Sequence, residues 1–109
     1  MDFTTYQQHA RKTAVYPNLG NNLAYPVLGL CGETGEVAEK VKKIFRDKGG
    51  VLDVQAIAEL EKEIGDVLWY LAALCTELGL DFTEVARKNV EKLASRQQRN
   101  VLQGSGDNR

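Results

Sequence analysis

Val54-Gln55-Ala56-Ile57-Ala58-Glu59-Leu60-Glu61-Lys62-Glu63-Ile64-Gly65-Asp66-Val67-Leu68-Trp69-Tyr70-Leu71-Ala72-Ala73-Leu74-Cys75-Thr76-Glu77-Leu78 is the stretch on which the fold turns. Its apolar positions Ile57, Leu60, Ile64, Val67, Leu68, Leu71, Cys75 and Leu78 recur at spacings of three and four, the period of a helix that turns one face to a core. Asp53 stands where an N-cap belongs and Gly79 where a helix stops. Asp81 opens a further helix with Glu84 three residues on, the spacing of a capping box, and Val85, Ala86, Val90, Leu93 and Ala94 follow. Upstream, Asn21 or Asn22 caps a helix that tolerates Pro26 near its first turn and runs to about Arg46, with Leu23, Leu30, Val37, Val41 and Ile44 in one stripe. Lys48-Gly49-Gly50 ends it. A shorter first helix reads from Thr4 to Ala14, with Tyr6, Ala10 and Thr13 on one side, before the loop Tyr16-Pro17-Asn18-Leu19-Gly20. No stretch reads as a strand. The expected fold is an all-α bundle of four helices over residues 1–98, followed by a polar, disordered tail at 99–109.

Composition narrows the function classes. A chain of 109 residues forms one domain, whose ligand site lies between elements or between subunits rather than in a deep enclosed pocket. Net charge is -1, which provides no broad positive field for a nucleic-acid backbone. The longest apolar run, Leu23 to Cys31, is too short to span a membrane, and Met1 to Tyr6 shows no basic-then-apolar leader. Cys31 and Cys75 fall within apolar helical patterns without metal spacing, so both are expected as buried thiols in a reducing, cytoplasmic setting. Helical domains poor in aromatics complete their cores by association. Trp69, Tyr70 and Ala73, off the main stripe of their helix, suggest a second face that would serve a homodimer.

Two acidic doublets carry the chemistry. Glu33-Thr34-Gly35-Glu36 and Glu63-Ile64-Gly65-Asp66 each place two acids three apart, hence neighbours on one helix face. Glu33 and Glu63 border their apolar stripes, so antiparallel packing of the two long helices brings the doublets together. Such a cluster needs protons or cations to persist. All-oxygen ligation suits Mg²⁺, or Mn²⁺ in its place, and a di-iron site would want an ExxH pair that this chain lacks. Magnesium completes its shell with water and substrate phosphates, which points to phosphoryl or nucleotidyl transfer to water. Gly29, Gly32, Gly35 and Gly65 each cost helix stability, consistent with close approach of a packed helix or a ligand near the acids. Asn89, Lys92 and Arg96 form one stripe of the last helix that can face phosphates or water. The ordinary alternative for the acids is a set of surface ion pairs, Glu36 with Lys40 and Glu39 with Lys43.

Leu28-Gly29-Leu30-Cys31-Gly32-Glu33-Thr34-Gly35-Glu36-Val37-Ala38-Glu39, followed by Glu63-Ile64-Gly65-Asp66-Val67-Leu68-Trp69-Tyr70-Leu71, resembles the MazG-like nucleotide pyrophosphohydrolases, whose signature is ExxE, a variable spacer and ExxD. Leu78 to Phe82 and the Asn89, Lys92, Arg96 stripe also match, so the likeness spans Asn22 to Arg96. It implies an all-α fold completed as a homodimer or dimer of dimers, and Mg²⁺-dependent hydrolysis of nucleoside or deoxynucleoside triphosphates to monophosphate and pyrophosphate. By that resemblance Glu33, Glu36, Glu63 and Asp66 ligate magnesium, Glu33 or Glu36 handles the attacking water, and Asn89, Lys92 and Arg96 hold phosphates. Tyr25, Trp69, His9 and Tyr6 are the available base-side groups. The alternatives are a related all-α pyrophosphohydrolase acting on phosphoribosyl-ATP or on dUTP or dCTP, and a non-catalytic helical dimerisation module.

Overall fold

The computed structural model describes residues 1–109 as four helices without a strand: α1 (Phe3–Arg11), α2 (Ala24–Lys48), α3 (Val54–Glu77) and α4 (Phe82–Gln98). The all-α expectation holds, and most ends obey their caps. The Asp53 carboxylate accepts from the Ala56 amide at 2.7 Å, and Asn22 Oδ1 accepts from the Tyr25 amide at 3.0 Å. Gly79 takes φ 69°, a conformation costly for other residues, and lets the Leu80 amide reach the Cys75 carbonyl at 2.8 Å. The capping box at α4 does not form. Asp81 accepts from the Thr83 amide at 3.0 Å, but the Glu84 carboxylate turns forward to Arg87 Nη2 at 2.6 Å, a charge-assisted pair stronger than one bond to an amide. The first helix stops at Arg11 rather than Ala14, because the amides of Thr13 and Ala14 turn to the carbonyls of Ala10 and Arg11.

Helices α2 and α3 form a long antiparallel hairpin, α1 packs on α3, and α4 lies chiefly against α1. The hairpin is close at Gly29, where any Cβ would overlap the Tyr70 ring. At its open end the Glu77 carboxylate gathers the α1–α2 loop, accepting from the amides of Gly20 (3.0 Å) and Asn22 (3.3 Å) and from the Tyr16 hydroxyl, with Arg11 Nη1 at 3.7 Å. The Tyr16 hydrogen bond, more than any other contact, holds the Glu77 carboxyl below the usual carboxylate range.

The core is small. Eleven of 109 residues are buried, and they include Ala10, Ala14, Ala56, Ala72 and Ala73. Ala10, Ala72, Cys75 and Phe82 form the main cluster, flanked by Tyr6, Leu68, Trp69 and Leu71. The radius of gyration, 16.9 Å, exceeds the ~13 Å of a compact 100-residue domain. Much of the expected apolar stripe is therefore uncovered: Ile64 is 60% exposed, with Ile57, Leu78, Leu23 and Val41 also exposed, and Phe45 beside it is 69% exposed. Periodicity identifies an apolar face but not what covers it.

Two further expectations change. Cys31 is exposed and only Cys75 is buried, since residue 31 lies on the side of α2 turned from α3. Trp69, Tyr70 and Ala73 do not form a free second face. Trp69 Nε1 donates to Thr13 Oγ1 at 2.8 Å, Ala73 packs with Ala14 and Tyr16, and Tyr70 lies over Gly29. Residues 99–109 carry no helix, and the Arg109 guanidinium donates to the carbonyls of Val101 (3.0 Å), Leu102 (2.9 Å) and Gly106 (2.7 Å).

The glycines generate a paired prediction. Gly29→Ala forces the Tyr70 ring aside and should destabilise the fold by about 1–3 kcal/mol. Gly35→Ala meets nothing within 4 Å and should stabilise it by about 0.5–1 kcal/mol through helix propensity. Urea unfolding of the two variants beside the wild type reads both signs.

Candidate metal centre

Antiparallel packing turns the two doublets toward each other. Glu33 projects from α2, Glu63 and Asp66 from α3, and each offers one carboxylate oxygen such that all three lie within 4.8 Å of one another. Glu33 and Glu63 are half-buried and Asp66 is exposed. Glu36, the fourth acid of the pattern, is exposed and stands outside this trio, though its charge still acts on Glu33. The Glu33 carboxyl is pushed up, first by partial burial, then by the charges of Asp66 and Glu63, a hydrogen bond with Glu63, and the charge of Glu36.

One cation answers this crowding. Lys40 does not pair with Glu36 along its own helix. Its ammonium crosses to α3, 3.5 Å from Glu63 and 3.6 Å from Glu59. Glu39 does pair with Lys43, at 3.7 Å, and also with Lys42, at 2.9 Å. The donor set of the trio is purely carboxylate oxygen; His9 and both thiols lie outside it. Such a set fits a hard divalent ion better than zinc.

Beside the acids opens a cleft of about 330 Å³ lined by Glu33, Asp66, Trp69 and Tyr70. Trp69, one of the base-side candidates from the sequence, lines this cleft. Tyr70 was missed, although its position one turn beyond Asp66 could have flagged it. Tyr25 sits behind, stacked on Tyr16 at 4.6 Å between centroids and 6.4 Å from Tyr70. His9 is exposed on α1 and Tyr6 lines a separate groove with Met1 and Leu68.

The cationic stripe of α4 is not brought to this cleft within the chain. Asn89 is exposed, Lys92 Nζ is 3.7 Å from the Asp107 carboxylate, and Arg96, only 5% exposed, donates to the Asp107 carbonyl at 2.8 Å. The spacing of these residues on one helix was legible; the docking of that helix on α1 was not.

A family model described as the MazG nucleotide pyrophosphohydrolase domain matches residues 24–101. The Gene 37 protein of Mycobacterium phage L5 is 46% identical over 114 aligned residues that cover 100% of both chains. No solved structure matches the chain.

The raised Glu33 carboxyl has a testable sign. Its folded value lies above the unfolded one, so ionising it opposes folding, and the cost grows as pH rises from the ordinary carboxylate range through the raised value. Glu77, held low, contributes the other way, with stability lost as pH falls. In metal-free buffer Glu33→Gln should therefore be more stable than the wild type at pH 7, with the gap closing toward pH 4. Thermal unfolding in EDTA across that range measures it.

Proposed function

The chain belongs to the MazG nucleotide pyrophosphohydrolase family, and from that membership and the acidic trio we propose that it hydrolyses nucleoside or deoxynucleoside triphosphates to the monophosphate and pyrophosphate with Mg²⁺. The observation that carries the reading is the convergence of Glu33, Glu63 and Asp66 from two helices beside a cleft walled by Trp69 and Tyr70. Glu33, Glu36, Glu63 and Asp66 hold the ion, Glu36 by a rotamer change that its exposure permits. Bound there, magnesium supplies positive charge to phosphate oxygens and lowers the pKa of water. Glu33 orients the attacking water and takes its proton. Trp69 and Tyr70, their rings at 83° to one another, give the base an aromatic corner, with Tyr25 beside Tyr70.

The same reading explains the uncovered stripe. Ile57, Ile64, Val41 and Phe45 are exposed on the hairpin, and we assign that surface to a homodimer or a dimer of dimers. A second copy would also bring an α4 helix to the cleft, so that Asn89 and Lys92, and Arg96 once released from Asp107, reach phosphate oxygens that they do not reach within one chain. No helix is long and apolar enough to cross a membrane. With that substrate class, the reading extends to a role in cleansing a cytoplasmic nucleotide pool.

Pyrophosphate release from a panel of nucleotides, with magnesium and with EDTA, tests the activity. Glu36→Gln and Asp66→Asn should each lower turnover by about a hundredfold or more while the helical circular dichroism stays intact. Wild-type rates in either variant would remove the metal assignment. Ile64→Arg should lower the mass seen by sedimentation from an assembly to a single chain, and Mn²⁺ at about 100 times its Kd should stabilise the wild type by about 2.7 kcal/mol.

A further inference from the structure

Beyond Glu63, along the groove between α2 and α3 and away from the aromatic cleft, lies a second recess of about 260 Å³ whose lining includes Lys40, Lys43, Lys48, Ala56 and Glu59. Three ammonium groups at one recess are unusual in a chain of net charge -1. Lys40 and Lys43 are loosely held, Lys40 at 3.5 Å from Glu63 and 3.6 Å from Glu59 and Lys43 at 3.7 Å from Glu39, whereas Lys48 hydrogen-bonds Asp53 at 3.2 Å. Most of these separations exceed a direct hydrogen bond, so the pairs exchange readily for a better anion. Asp47, also at the recess, is engaged by Arg46 at 2.7 Å, and its charge and that of Glu59 offset part of the lysines' charge.

Order along the groove gives the recess a meaning. Tyr70, Asp66, Glu63, Glu59 and Ala56 follow one another down one side of α3, and from Asp66 to Glu59 is two helical turns, about 10 Å. Aromatic rings stand at one end, carboxylates in the middle and ammonium groups at the other. That is the order of base, metal-bridged phosphate and outer phosphates in an extended nucleoside triphosphate. We propose that Lys40 and Lys43, with Lys48 at the rim, form the subsite for the two outer phosphates and hold the pyrophosphate that leaves. The orientation rests on the nucleotide hydrolase reading; the affinity of the recess for a condensed phosphate does not. Lys40 has a double part. While the carboxylates stand alone it is the counter-charge of Glu63, and once Glu63 is shared with a divalent ion its ammonium is free to turn to phosphate oxygens. These side chains belong to the same copy as the acids, and α4 residues of a second copy would add to them.

Calorimetric titration of the intact protein with inorganic pyrophosphate, in magnesium and in EDTA, tests the assignment, with a deoxynucleoside monophosphate as the control ligand. Lys40→Ala and Lys43→Ala should each weaken pyrophosphate binding about tenfold or more and leave monophosphate binding within about twofold, while Lys43→Arg keeps most of the affinity. Circular dichroism confirms that each variant remains helical. The inference is overturned if the wild type does not bind pyrophosphate, if the two alanine variants bind it as the wild type does, or if only Lys92→Ala weakens it. Loss of pyrophosphate binding in the lysine variants of a protein that turns over no nucleotide would keep the anion subsite and discard the hydrolase, so the two readings fail separately.

Discussion

The ring of Tyr70 occupies the space that a side chain at residue 29 would need, and the distance between the two long helices is set by that contact. The acidic site depends on it. With a bulkier residue there the hairpin would splay at the level of Glu33, and the carboxylates of α2 and α3 would stand apart. Sliding is prevented elsewhere: Glu77 ties the end of α3 to the amides that lead into α2. Distance and register together decide which acids meet.

Glu33 and Glu77 show how the same side chain is driven in opposite directions by its surroundings. Glu77 is saturated by donors, two amides and a phenol, and its charge is favoured. Glu33 faces its own kind in a half-buried position, and its charge is opposed. The first arrangement serves the fold, while the second lowers stability at the place where a ligand must be held. Rule-breaking of this sort concentrates at sites of chemistry. Gly29 and Gly35 divide in a similar way: one is required by packing, whereas the other has no neighbour within the chain.

Much of the secondary structure was legible because it is local. The period of α3, the caps at Asn22 and Asp53 and the stop at Gly79 each act over a few residues. The meeting of Glu33 with Glu63 and Asp66 was legible too, since only helix direction was needed to bring the doublets face to face. What escaped were choices among partners. Lys40 had Glu36 on its own helix yet pairs across the hairpin, and Glu84 had the Asp81 amide yet takes Arg87. Such competitions turn on a fraction of a kcal/mol in three dimensions and leave no periodic trace. The stripe of α4 was seen, but its placement against α1 was not, and Trp69 with Tyr70 was read as a free face where in-chain neighbours cover it.

A core built largely of alanines has one more consequence. Small side chains bury little apolar area, so the isolated chain has a thin margin against unfolding. If the uncovered stripe closes against another copy, folding and encounter become a single event whose yield rises with the number of molecules per cell. Below some abundance the chains would be lost to proteolysis faster than they find each other; above it they would persist. The hairpin would then act as a dosage threshold, switching activity on only after enough of the product had been synthesised.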